Sequence, residues 1–331
     1  MAFYLTSDIS IGEYKNIKPN KVSWKTDVGS FTDSCIITLP RITHMKNDVL
    51  DKTEDLNVKN QKENIYQFKE GDKVDVSLGY NNKNEKRFVG FVRRVKMGIP
   101  VELECEGYGY LLYDVIFNKT YTNVMVKKLL QDLIAGTEIK LSNEIPDIPL
   151  KNVRFKNATG IQVLEWLKKE CSLAVYFNFD ELYVGTLFGK IQKTVKIALN
   201  QNVIKDDDFQ KRKVDKNIKI VVREKDQAGK VKKTKSDEQK YSSDKELKIK
   251  AGIPAQFLKE IVNRLQTQED YKGYEGNIQL FLVPYVNKGM RIDYDGWMYR
   301  EKTGSYFVQS VQGEFGMSGG RQTVQLGFLM N

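Results

Sequence analysis

Histidine is almost missing from this chain: His44 is the only one in 331 residues. A Ser-His-Asp or Cys-His relay would have to use it, and no serine stands in a nucleophile-elbow motif. A lone loop histidine with no partner ligand reads as a surface residue. Cysteine is scarce too. Cys35, Cys105 and Cys171 are an odd, widely spaced set, which excludes a disulfide framework and points to folding in a reducing cytoplasm. No stretch approaches the ~18 apolar residues of a membrane helix. Met1–Asp8 lacks a basic n-region and an apolar run, so no signal peptide is expected, and no membrane association. Proline, at 7, is rare, whereas Tyr (17) and Phe (16) are common, a balance that suits β-structure.

What is present is a β grammar that occurs twice. The first copy reads Gly71–Val76, then Phe88–Val92, a Gly98-Ile99-Pro100 turn, and Val101–Glu106. Val101, Leu103 and Cys105 alternate with Glu102, Glu104 and Glu106, so one face is apolar and the other wet, as in an antiparallel sheet. The second copy reads Gly289–Tyr294, Tyr306–Val311, a glycine-rich turn, and Val324, Leu326 and Phe328 alternating with Thr323, Gln325 and Gly327. In both, the aromatic-led strand begins seventeen residues after the glycine, which predicts an internal repeat with Gly71 matching Gly289 and Phe88 matching Tyr306.

Around these copies the chain divides into three regions. Residues 1–116 read as strands and turns, with Lys21–Thr26 and Ser34–Leu39 joined by an Asp27–Ser30 turn, and a long charged loop over 44–64. Residues 117–190 change character. Val126, Leu129, Leu130, Leu133 and Ile134 make a helical stripe with Thr122 or Asn123 as candidate cap. A second helix begins at Asn157 or Thr159 and carries Ile161, Leu164, Leu167 and Cys171 inward. A hairpin then turns across Asn178–Glu181. Residues 191–331 return to strands, Asn217–Val222 and Val231–Thr234 among them, with a helical insertion near 253–271. The expected fold class is mainly β with an α+β insert: two antiparallel β-barrel domains plus a small α/β domain.

Candidate chemistry is sparse. Gly107–Leu112 starts like a dinucleotide loop but lacks the third glycine, and no helix is expected after it. Asp206–Asp208 lacks the glycine and glutamate of a calcium loop and reads as a solvated turn. Glu102 and Glu104 share a strand face, which a wet sheet explains without catalysis. No cofactor and no metal site is indicated. Residues 205–250 hold sixteen Lys or Arg against ten Asp or Glu, six of the chain's net charge of +10. Lys230, Lys232, Lys233 and Lys235 cluster there at a hairpin. Only Phe209 and Tyr241 interleave, against the aromatic-rich pattern of single-strand binders. The lysines fit either a solvated hairpin or a cationic wall facing passing DNA.

Taken together, the 71–112 pattern, the Lys151–Thr159, Leu164–Leu167, Tyr176–Phe177 and Leu182–Val184 series, and Gly289–Val311 resemble the baseplate hub proteins of contractile phage tails and related injection machines, including the late control protein D group. The resemblance spans nearly the whole chain. It implies a non-enzymatic structural protein of the virion tail, assembled in the host cytoplasm. Three copies, each with two tube-type barrels, would ring the tail axis and enclose a channel for DNA or effectors. The implied partners are further copies of the chain, a tail tube or tube-initiator protein, a central spike protein and baseplate wedge proteins. The lysozyme or peptidase domain fused to some relatives is not expected here. The competing classes are a carbohydrate- or peptidoglycan-active β enzyme and a basic nucleic-acid-binding module.

Overall fold

The structure, a computed structural model, describes residues 4–40, 46–47, 68–186, 193–213, 218–225, 231–235, 243–249 and 255–329. His44, Lys230 and the 226–229 turn lie outside the described residues, as does most of the charged 44–64 loop.

The first region supplies β1 (Leu5–Ile11), β2 (Tyr14–Lys15), β3 (Lys21–Asp27), β4 (Ser34–Leu39), β5 (Lys46–Asn47), β6 (Lys73–Tyr80), β7 (Lys83–Lys96) and β8 (Val101–Glu106). Strict alternation sets their faces: Val22, Trp24 and Thr26 point in while Lys21 and Lys25 point out, and β4 and β8 do likewise. The inward set forms one core around Ile9, Trp24, Ile37, Val74, Phe88 and Leu103.

The middle region opens with β9 (Ile116–Met125) and α1 (Val126–Ile134), then β10 (Lys140–Leu141), β11 (Pro149–Thr159), α2 (Gly160–Glu170), β12 (Ala174–Asn178) and β13 (Glu181–Gly185). β9 runs straight into α1, so Thr122 and Asn123 are strand residues and the N-cap is Met125, with no side-chain hydrogen bond. The strand persists because it pairs along its length with β11. α2 starts at Thr159, whose hydroxyl accepts from Gln162 N–H while Gln162 answers to Thr159 N–H, a capping box. Leu129, Leu133, Leu164 and Leu167 share one core with the β12–β13 hairpin.

The last region contains β14 (Thr194–Ala198), β15 (Val203–Lys205), β16 (Gln210–Lys211), β17 (Ile218–Lys225), β18 (Val231–Lys235), β19 (Ser243–Ile249), α3 (Ala255–Glu269), β20 (Tyr274–Phe281), β21 (Arg291–Asp295), β22 (Gly304–Gly316) and β23 (Gly319–Leu329). Its second β core gathers Ile197, Phe209, Ile278, Ile292, Tyr306 and Val324. The strands of 218–249 do not join that sheet. They form their own, in the order β18-β17-β19, and α3 sends Leu258, Ile261 and Val262 into the core of the middle region. The insertion leaves the β unit through a neck where Arg212 N–H donates to Gly273 C=O at 2.9 Å.

The two β units are one sheet, ordered β15-β20-β23-β22-β3-β4-β8-β7-β6-β1-β2-β5, with β14 and β21 continuing from β22 and β16 pairing β20. The joint is β3 against β22, antiparallel from Asp27–Ser310 to Lys21–Gly316. Within it the repeat is explicit. β7-β8-β4-β3 is followed by β22-β23-β20-β15, and β6 and β21 flank β7 and β22 in the same way. Gly71 and Gly289 both have positive φ, +88° and +75°. Gly71 N–H donates to Val92 C=O, and Val92 N–H to Asp72 C=O. Gly289, Val308 and Met290 repeat that pair of bonds. Val74 and Ile292 are equivalent and fully buried. The bonds equate Val92 with Val308, so the true offset differs by two residues between the copies and Phe91, not Val89, is the counterpart of Phe307. One direction differs: β1 runs antiparallel to β6, β14 parallel to β21.

Candidate assembly surface

Three groups of residues hold the continuous sheet together at its joint. Trp24 faces Gly313 across β3–β22, and a side chain on Gly313 would collide with the indole. Arg87, 2 % exposed, crosses from the first unit to the second. It donates to Gln322 Oε1 at 3.1 Å and to Leu282 C=O, and lies 4.8 Å from the Tyr285 ring centroid. Its Nε has no hydrogen-bond partner, and burial pulls its pKa down to about 10.

The third group joins all three regions. Lys288 is fully buried and ion-paired to Asp33. Asn287 accepts from Thr26 Oγ1 at 3.0 Å and from Lys288 N–H at 2.9 Å, and donates to Asn178 Oδ1 at 3.5 Å. Val28, Tyr176, Tyr183 and Phe307 pack beside it. Burial raises the Asp33 carboxyl, and the Lys288 ammonium opposes that shift. Alternation marks Trp24 as inward but not as a joint residue, and none of Gly313, Arg87, Asp33 or Lys288 is marked by sequence spacing, because each acts on a partner far along the chain.

The outward face of the sheet is wet and mixed in charge. Lys96 contacts Glu104 at 2.5 Å and Glu102 at 3.7 Å, Arg94 lies 3.7 Å from Glu104, and Lys21 pairs with Glu314 across the joint at 3.0 Å. Lys96 is raised and Glu104 lowered chiefly by their mutual hydrogen bond. Glu102 and Glu104 are therefore ion-pair partners on a strand face. Between the charges stand Ser23, Thr38, Gln312, Thr323, Gln325 and Asn277.

The other candidate residues are dispersed. Lys232, Lys233 and Lys235 are on β18, in the inserted sheet and not the wide one. Asp206 pairs with Lys302 at 2.7 Å and Asp207 with Lys205 at 2.9 Å, and Phe209 N–H closes a turn on Asp206 C=O. Gly107 does lead into a short 3-10 helix, Tyr108–Leu112, but its N–H is spent on Asp33 C=O at 2.8 Å. Among the described residues no group of three or more His, Cys, Asp or Glu could hold a metal ion, and no helix is long and apolar enough to cross a membrane.

No protein-family model and no curated protein sequence matches the chain. Solved structures do. A tail protein from Neisseria meningitidis is 12% identical, with a TM-score of 0.67 over 98% of this chain and 96% of that one. The 43 kDa tail protein of prophage MuSo2 from Shewanella oneidensis is 12% identical, with a TM-score of 0.63 over 97% of each chain. An Escherichia coli component of the type VI secretion system, described as structurally similar to the T4 bacteriophage tail proteins gp27 and gp5, is 10% identical, with a TM-score of 0.55 over 98% of this chain and 79% of that one. At such identities the likeness is one of fold, and that fold is the one found in phage tail proteins.

Proposed function

We propose that this chain is a structural hub of a phage-type tail baseplate or related injection machine, that three copies close into a ring, and that the wet face of the wide sheet lines its channel. The observation that carries this reading is the four-strand step: advancing four strands along the sheet takes β7 onto β22 and β8 onto β23. Three chains laid end to end repeat that step six times, roughly twenty-four strands and roughly 115 Å around at the usual strand spacing. The ring is sixfold in its strands and threefold in its chains. It can therefore meet a sixfold tube on one side and a trimeric spike on the other. Closure takes a heterologous contact, and two edges left open among the described residues offer it: β15, and Arg93–Lys96 of β7, which pair β8 but not β6.

The mixed-charge, amide-rich face supports passage without retention, since among the described residues it carries no unbroken positive stripe to hold a polyanion. Lys230, Lys232, Lys233 and Lys235 belong to the same proposal as a basic group that approaches the channel and screens phosphate charge. Replacing all four by Gln is expected to leave fold and assembly intact and to slow DNA delivery. Unchanged delivery assigns them to the solvated surface. The role is structural, so a peptidoglycan zymogram of the purified chain is expected to clear nothing. Tube, spike and wedge proteins are the proposed partners, in the virion tail. Light scattering on the chain alone and mixed with its spike is the deciding measurement. Trimers in either sample support the hub, and a strict monomer or dimer in both overturns it.

A further inference from the structure

Two hairpin tips stand on one rim of the sheet. Met97-Gly98-Ile99-Pro100 joins β7 to β8, and Met317-Ser318 joins β22 to β23. The register puts them at the same end: Val101 is opposite Leu39, Thr38 is opposite Lys21, and Lys21 is opposite Gly316. They are the same hairpin of the two repeat copies, four strand spacings apart, roughly 19 Å along the sheet. Each puts an exposed methionine at a turn where Asn, Asp or Gly is usual. Met97 is 61% exposed, Ile99 76% and Met317 100%.

Single exposed apolar residues are ordinary. Repetition is what sets these apart. The other repeated hairpin has no shared character: the β6–β7 turn is Asn81-Asn82, and its counterpart between β21 and β22 carries the exposed Trp297, Met298 and Tyr299. An apolar group present at one copy and absent from the other suits a partner that meets each chain once. An apolar group present at both suits a partner that repeats at every four-strand step.

We propose that the Met97–Pro100 and Met317–Ser318 tips are equivalent apolar pegs that seat in matching sockets of an adjoining ring of identical protein subunits. This rests on the hub reading and deepens it by assigning the rim that faces the sixfold partner. Methionine suits such a contact, being unbranched and able to fill irregular apolar sockets. A lipid surface is the other apolar partner to weigh, and the charges argue against it. Of the cations near the tips, Lys96 and Lys21 are ion-paired to Glu104 and Glu314, and Lys18 beside Met317 donates to Ser7 C=O at 3.3 Å, so the tips stand among mixed charges and not in an unbroken basic halo for anionic headgroups.

The test uses the full chain and an assembled tail tube from the same virion. Three variants are compared: M97S/I99S, M317S, and all three substitutions together, with W297S/M298S as the control from the unrepeated turn. Light scattering on each reports the ring, and co-sedimentation with assembled tube reports the contact. The expected result is an unchanged trimer and binding weakened about tenfold or more by each tip, in line with loss of buried apolar side chains. The triple variant should lose binding altogether and the control should keep it. Trimers that bind tube equally well with all three tips replaced overturn the pegs and leave the hub standing. A native chain that neither binds tube nor trimerises, alone or mixed with its spike, overturns the hub reading itself. Tip-dependent binding to phosphatidylcholine–phosphatidylglycerol vesicles, with tube binding unaffected, gives the tips to a membrane and overturns the proposal.

Discussion

Trp24 of β3 lies against Gly313 of β22, its partner across the strand joint: a Cβ at position 313 would stand 2.0 Å from the indole. The absence of a side chain at 313 is what lets the largest residue of β3 lie over the junction. Gly313→Val is expected to destabilise the protein by about 1–3 kcal/mol or more, the range for overpacking a filled core. Adding Trp24→Leu should restore part of that loss. Denaturant midpoints of the two singles and the double measure the coupling, and additive losses would place the indole elsewhere.

The Lys288–Asp33 pair predicts an asymmetry. Lys288→Ala removes one partner and leaves a buried carboxylate, which should cost about 3–5 kcal/mol. Removing both charges together, as Lys288→Met with Asp33→Leu, should cost clearly less than the single change. A double variant as unstable as the single would mean that the pair contributes net stability and not merely charge compensation.

The cysteines should be silent until the protein unfolds. Cys35 and Cys105 are directly opposite on β4 and β8, a closeness their sequence positions hide, and both are buried. Burial pushes the Cys105 thiol up to about 12 and Cys35 well above its ordinary value, and Cys171 rises for the same reason. Ellman's reagent at mildly alkaline pH should label none of the three in the native protein and all of them in denaturant. Rapid native labelling would contradict their burial.

Acid should weaken the middle region through Asp132. The Tyr121 hydroxyl donates to it at 2.7 Å and Lys119 and Lys128 lie at 3.3 and 3.0 Å, which holds its carboxyl down to about 2 from an ordinary 3.8. A depressed carboxyl binds its proton more weakly when folded. Its stabilisation is therefore present above the unfolded value and lost as pH falls from about 4 through about 2. Urea midpoints measured down that range should fall more steeply for the native chain than for Asp132→Asn, and parallel curves would exclude the linkage.

Much of this was legible before the fold was known because it is periodic. Val101, Leu103 and Cys105 alternate in the chain and line the core in space. Leu129, Leu133, Leu164 and Leu167 fall at helical spacing and meet in one cluster. What was not legible depends on pairing across long separations. β9 is a strand because β11 lies beside it, although its last residues resemble a helix start. The repeat shows in the sequence, but its register shows only in the bonds of Val92 and Val308. The alternating residues of 218–249 carry no mark of which sheet they join, and only the pairing in space sets the β18-β17-β19 sheet apart from the wide one. Lys288 looks like any surface lysine until Asp33 is found beside it.

The β3–β22 joint also bears on how the molecule carries load. Domains in one chain are ordinarily tethered by a linker and swing about it. Here the tether is a run of paired strand, backbone to backbone, with Trp24, Arg87 and Lys288 wedged across it. A pull along the strands would have to shear those bonds together, whereas a hinge would yield one residue at a time. Thrust applied to either half therefore passes to the other with little lost to bending.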